Sequence, residues 1–161
     1  SLCEKDKFEE ALAQLDKAQK KGVKVVLPVD LRVADKFAPD ANVQIVDVDK
    51  VPEDWEALDS GPKTSELYTE ALKGAKTVIW NGPMGVFEFD AFAEGALAVA
   101  KAVAEATKNG AISIVGGGDS IAALKKTGLS DQISHISTGG GATLEFLEGK
   151  VLPGIAAIAD K

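Results

Sequence analysis

The run Gly116-Gly117-Gly118-Asp119-Ser120 follows the apolar residues Ile112-Ser113-Ile114-Val115, and Ser137-Thr138-Gly139-Gly140-Gly141-Ala142 follows Ile133-Ser134-His135-Ile136. Each run stands where a strand should end and a helix begin. Glycine there permits positive φ and lets a ligand approach the peptide N–H groups. The helix that follows turns unpaired N–H groups and the positive end of its dipole toward that ligand, which suits a phosphate. Two such loops so close in sequence point to a polyphosphate, most economically a nucleotide. The first run lacks the GxxxxGK[ST] spacing and its lysine, and it does not match GxGxxG. A carboxylate beside phosphates repels them unless a cation intervenes, so Asp119 reads as a magnesium contact. The other reading, of about equal weight, has Asp119 or Ser120 capping the helix.

A third segment, Asn81-Gly82-Pro83-Met84-Gly85-Val86-Phe87-Glu88, joins an apolar pair to one carboxylate. A base against Val86 and Phe87, with ribose hydroxyls on Glu88, would suit a nucleoside. On spacing alone, Glu88 and Asp90 as solvated carboxylates near a helix N-terminus is the better supported alternative. Ser137–Ala142 is either a second phosphate cradle or a tight turn. His135 inside a strand reads as structural, Cys3 as incidental, and Lys17, Lys20, Lys21 and Lys24 as a solvated helix end.

The elements that must position these loops alternate between helix and strand. Phe8, Ala11, Leu12, Leu15 and Ala18 recur at helical spacing within 5–21, closed by Gly22. Val23 to Leu27 reads as a short buried strand, Leu31 to Ala41 as a loop, and Asn42 to Val48 as an edge strand. Val51 to Pro62 reads as a connection anchored by Trp55 and Leu58. A helix follows over 64–73, capped by Thr64 or Ser60, then a strand over 76–80. Asp90 caps an alanine-rich helix over 91–107; strands at 111–115 and 133–137 each lead into a helix, at 120–126 and 142–148. This order predicts an α/β fold, a mainly parallel sheet with helices on both faces. All three loops then fall at the carboxyl edge of the strands, where such sheets bind ligands.

The 161 residues suit one domain. The formal charge of −7 disfavours nucleic acid as a partner. No apolar run is long enough to span a bilayer, and nothing reads as a secretory signal. One cysteine and one histidine exclude an internal disulfide, a cysteine-based zinc cluster and a two-histidine metal motif. A reducing, cytoplasmic setting is expected.

At its loops the chain resembles phosphoglycerate kinases. Val78 to Glu88, Val115 to Ser120 and His135 to Ala142 look like that family's nucleotide-side signatures, and Leu58-Asp59-Ser60-Gly61-Pro62-Lys63-Thr64 and Leu152-Pro153-Gly154 are similar to further family segments. The resemblance runs from Ser1 to Lys161. It implies that Glu88 holds the ribose and that Gly117, Gly118, Asp119 and Ser120 lie along the phosphates, with Asp119 near Mg2+. It further implies that Asn81 and Gly139, Gly140 and Gly141 stand near the transferring phosphoryl group, and that Gly61 and Pro83 line the adenine pocket. The family's chains are longer and have two domains. The basic substrate domain that binds 3-phosphoglycerate, the first strands of the nucleotide domain and its phosphate-clamping lysines have no counterpart here. Residues 1–161 are therefore expected to be part of a Rossmann-like, three-layer nucleotide domain, truncated on its N-terminal side.

Three functions remain open at this point. The first is the ADP/ATP-binding portion of a kinase, active only with the rest of its chain. The second is a non-catalytic nucleotide-binding module, and the third a structural domain with unused loops. An exposed sheet edge and bare helix faces lead to the further expectation that the chain self-associates.

Overall fold

The computed structural model describes residues 3–158. Ser1, Leu2 and residues 159–161, where the family resemblance starts and ends, lie outside the described residues. Twelve elements follow one another after a single 3-10 turn at Lys5–Lys7: α1 (Phe8–Lys20), β1 (Asp30–Ala34), β2 (Val43–Asp47), β3 (Glu56–Ser60), α2 (Pro62–Leu72), β4 (Thr77–Asn81), α3 (Glu94–Lys108), β5 (Ile112–Gly116), α4 (Gly118–Thr127), β6 (His135–Ser137), α5 (Gly140–Leu147) and α6 (Pro153–Ala156). Short 3-10 turns also precede α3 and β6.

The α/β class and the parallel sheet are as the sequence predicts. Strands β4, β5 and β6 lie side by side in chain order, all parallel. Their shared core face carries Val78, Trp80 and Val115, and Val99, Ala100, Val103 and Ala106 of α3 and Leu124 of α4 pack on it, with Tyr68 and Leu72 of α2 at the margin. Alanines let α3 sit close against the strands, and full burial of Val103, Val115 and Leu124 stabilises by roughly 1.5–3 kcal/mol each. The opposite face differs from the expected double cover, because Ile79 and Ile112 there are 42% and 59% exposed.

A second sheet was not anticipated. Strand β1 pairs antiparallel with β2 on one side and β3 on the other, with a bulge between Arg32 and Val33. Leu31 to Ala34 is thus strand and not loop, and Glu56–Ser60 is strand and not connection. The expected strand at Val23–Leu27 does not form. Its residues are β-branched and apolar, but a strand needs a neighbour to take its hydrogen bonds, and no strand among the described residues lies beside it. Val23, Val25 and Leu27 are exposed. Helix α1 forms as predicted yet buries none of its residues, so its stripe of Phe8, Leu12 and Leu15 faces outward.

Helix α2 also starts differently. Neither Ser60 nor Thr64 caps it; Gly61 is the N-cap residue and Pro62 opens the first turn. Asp30, far away in sequence, accepts the Lys63 amide at 3.1 Å, the Thr64 amide at 2.8 Å and the Thr64 hydroxyl at 2.7 Å. Burial pushes the Asp30 carboxyl upward, but these hydrogen bonds from Thr64 and Lys63 outweigh it and hold the group below its usual range. Asp90 likewise caps no helix. Its carboxylate pairs with Lys126 at 2.7 Å.

Candidate functional site

The three parallel strands end level with one another. Asn81 is opposite Gly116, and Gly116 is opposite Ser137. The chain turns off all three strands at one rim, so the loops that looked separate in sequence meet there.

The two glycine loops touch. Gly117 has φ +91, a conformation that side chains rarely tolerate, and it lets α4 start at once after β5. Gly140, the first residue of α5, backs directly onto it. A Cβ on Gly140 would fall 2.5 Å from the Gly117 nitrogen and 2.6 Å from its Cα. The starts of α4 and α5 are thereby brought together, and their unpaired N–H groups converge. Asn81 stands beside them, its Oδ1 being 3.2 Å from where a Cβ on Gly117 would lie. Gly118 and Gly141 have open space at the corresponding positions.

Asp119 and Ser120 divide the work that the sequence assigned to both. Ser120 is buried, and its Oγ accepts the Gly82 amide at 2.6 Å. It ties α4 to the loop after β4. Asp119 is exposed, forms no hydrogen bond or ion pair, and does not cap α4. Neither residue serves as the expected helix cap, and the Asp119 carboxylate remains free at the rim.

The loop after β4 is held at several points. The Trp80 indole N–H donates to the Gly82 carbonyl at 2.7 Å, and the Val86 amide donates to the Leu58 carbonyl at 2.8 Å. Phe87 turns inward against Ala96 and Ala123. Glu88 points outward, exposed and unpaired. Pro83, Gly85, Val86, Glu88, Phe89 and Asp119, with Phe37 and the edge of Phe87, enclose an open groove of about 490 Å³. Its walls are apolar, and its two free carboxylates are Glu88 and Asp119.

Phe37 was missed. It lies in the turn after β1, and its ring meets Phe89 at 5.3 Å between centroids and 59° between planes. Asp35 closes that turn by accepting both the backbone amide and the side-chain amide of Asn42. A large aromatic amid the small and charged residues of a Pro39-Asp40 turn was the available signal.

Gly61, expected in the adenine pocket, does not line the groove. It is packed on the Asp30 carboxylate, where a Cβ would fall 2.2 Å from Cγ. Asp59 next to it is almost wholly buried and accepts the Gly95 and Ser60 amides at 2.9 and 2.8 Å. Burial is the main cause that raises its carboxyl to about 6, against the lowering effects of these amides and of Arg32. Asp59 thus clasps the start of α3 to β3, directly behind the groove.

Comparison with known proteins agrees with this geometry. Residues 1–150 match the family model described as phosphoglycerate kinase. The chain is similar to phosphoglycerate kinases from Synechococcus elongatus and Chloroherpeton thalassium, each 57% identical over 160 residues that make up 99% of this chain. Among solved structures, phosphoglycerate kinase from Coxiella burnetii superposes with a TM-score of 0.90 at 49% identity, covering 97% of this chain and 40% of that one. The enzyme from Pyrococcus horikoshii gives 0.77 at 36% identity, covering 94% and 36%. The chain spans 40% of the length of the two bacterial relatives named first. A rim of three level strand ends, two apposed glycine loops and a match over most of its length place this chain in the phosphoglycerate kinase family.

Proposed function

We propose that this chain is the ADP/ATP-binding portion of a phosphoglycerate kinase, serving reversible phosphoryl transfer between 1,3-bisphosphoglycerate and ADP when joined to the rest of such an enzyme. The observation that carries the reading is the contact of Gly140 with Gly117, which gathers two helix N-termini at the rim, with Asp119 of α4 lining the apolar groove. In this reading Glu88 takes the ribose, Pro83 and Val86 face the base, and Phe37 and Phe89 close the far wall. Gly117 and Gly118 present backbone N–H groups to the phosphates, and Ser120 holds the loop after β4 in place. Asn81 and Gly139 to Gly141 stand where the transferring phosphoryl group would lie.

Magnesium fits the donors present. Mg2+ in nucleotide sites commonly takes one or two carboxylates and fills its remaining positions with phosphate oxygens and water. Asp119 is a free carboxylate at such a rim, and the described residues hold no cluster of three or more His, Cys, Asp or Glu that would bind a metal unaided. The ion supplies charge neutralisation for the phosphates; the chain supplies the cradle.

Phosphoryl transfer depends on positioning and on neutralising charge over the phosphoryl oxygens. No lysine or arginine lines the groove, and in this reading 3-phosphoglycerate is bound by a part of the enzyme outside these 161 residues. The 161-residue chain alone is therefore inactive in this reading. The net charge of −7 disfavours nucleic acid as a partner, a cytoplasmic setting goes with the reading, and no helix among the described residues is long and apolar enough to cross a membrane. Alone, it self-associates through the outward faces of α1 and of β4 and β5. Calorimetric titration with Mg-ADP tests the site. Binding is expected, and Asp119→Ala should weaken it about tenfold with magnesium and little when the metal is chelated. No heat at millimolar Mg-ADP would leave the glycine loops as architecture only.

A further inference from the structure

Lys126, in the last turn of α4, reaches across to the loop after β4. Its Nζ donates to the Phe87 carbonyl at 2.7 Å and to the Glu88 carbonyl at 3.1 Å, and it pairs with the Asp90 carboxylate at 2.7 Å. Below this stretch of loop the packing is incomplete. A half-open cavity of about 170 Å³ lies beside it, bounded by Phe87, Ala93, Leu97, Ala123 and Lys126 itself. Phe87 anchors the loop on Ala96 and Ala123, and Lys126 holds the backbone on either side of Glu88 from the outer edge of this cavity.

Lys126 meets the loop between two of its backbone ties. The Val86 amide is tied to Leu58, and the Phe89 amide to the Val86 carbonyl. Between them, the carbonyls of Phe87 and Glu88 are both taken by the one ammonium group. Fixing the peptide planes on each side of the Glu88 Cα fixes the direction of its Cα–Cβ bond, from which the side chain starts. A positive group holding two carbonyls also makes charge-assisted hydrogen bonds, which are stronger than neutral ones.

We propose that Lys126 is a positioning residue for the nucleoside end of the site, acting through Glu88 and never touching the nucleotide. This rests on the reading of Glu88 as the ribose-binding carboxylate. Lys126 also sits favourably at the negative end of α4, as many structural lysines do, so the test must separate the two roles.

The experiment is a double-mutant cycle on Mg-ADP affinity, measured calorimetrically on the full 161-residue chain. Lys126→Met should weaken binding on the order of tenfold, the equivalent of one charge-assisted hydrogen bond. Lys126→Arg, which keeps donors at the same place, should restore most of it. In a Glu88→Ala background, Lys126→Met should cost less than about threefold, because the group it orients is gone. Asp90→Ala removes the exposed ion pair but leaves both carbonyl contacts, and should stay within about twofold. Equal losses in the two backgrounds, or a loss from Asp90→Ala matching that from Lys126→Met, would overturn the positioning role and leave a stabilising one. So would unchanged affinity in Lys126→Met. Wild-type chain that takes up no Mg-ADP would instead overturn the nucleotide reading and this role with it.

Discussion

Replacing Gly140 by alanine tests whether the two glycine loops meet as described. A methyl group there would stand 2.5 Å from the Gly117 nitrogen and 2.6 Å from its Cα. Ordinary contacts of a Cβ begin near 3.4 Å, so the overlap is close to an ångström against backbone on both sides. Neither side yields easily. Gly117 is held at φ +91 between β5 and α4, and Gly140 starts α5. Overpacking of this kind costs about 1–3 kcal/mol. For a chain of this size that is a drop in Tm of roughly 2–10 °C. The neighbouring Gly141 provides the control, since it is also helical but its Cβ would meet nothing within 4 Å. Gly141→Ala should gain about 0.4–1 kcal/mol from lowered chain entropy. The assay is thermal and urea unfolding of both variants beside wild type, with Mg-ADP affinity for Gly140→Ala. The expected order of stability is Gly141→Ala, then wild type, then Gly140→Ala, which also binds nucleotide more weakly. If Gly140→Ala is as stable as Gly141→Ala, the loops do not press on each other and the convergence of the two helix starts is refuted.

Other outcomes follow from the clasps behind the groove. Asp59 has a folded-state carboxyl raised to about 6 against an ordinary 3.8, so the folded state holds its proton more tightly than the unfolded state does. Its effect on stability is most favourable below pH 4 and is lost as pH rises through 6, by at most about 3 kcal/mol. Asp59→Asn should therefore gain on wild type in urea melts as pH is raised from 4.5 to 7.5; a constant difference would show that Asp59 is not protonated more readily when folded. Asp30→Ala removes the acceptor for two amides at the start of α2 and should cost about 2–4 kcal/mol in the same melts at pH 7, whereas a loss under about 0.5 would mean that water replaces it. Light scattering should find wild-type chain associating as concentration rises, and Phe8→Glu with Leu12→Glu shifting it toward monomer. A wild-type monomer throughout would remove the outward face of α1 from consideration.

What could be read in the sequence was what neighbouring residues determine. The largely apolar run before Gly116 and the pattern around Trp80 located β5 and β4 within a residue, because each has a buried face and is followed by glycine. Helix α1 was legible from apolar spacing and α3 from its alanine content, signals that require no knowledge of what the helices pack against. The failures share one cause. Val23 to Leu27 has the composition of a strand, but a strand forms only with a partner. Leu31 to Ala34 reads as loop when taken alone, yet it forms a strand because β2 and β3 flank it. Ordinary local signals also named the wrong caps: Thr64 and Ser60 were chosen for α2, while the acceptor is Asp30, some thirty residues earlier.

The candidate site divides along the same line. Which residues stand at the rim was evident from glycine, asparagine and carboxylates following strands. What aims them was not evident, because each restraint is a long-range contact. Ser120 holds Gly82, Leu58 holds Val86, Lys126 holds Phe87 and Glu88, and Phe37 packs on Phe89. Lys126 and Phe37 carry no motif of their own, and the segments that contain Ser120 and Leu58 give no sign of what those residues hold. In the proposed reading, a substitution at Glu88 or Asp119 removes a group that the nucleotide or its metal touches, whereas one at Lys126 or Ser120 leaves those groups in place and loosens their direction. The two kinds of loss are separable by experiment: the first should persist whatever else is changed, and the second should vanish once the residue it aims has been removed.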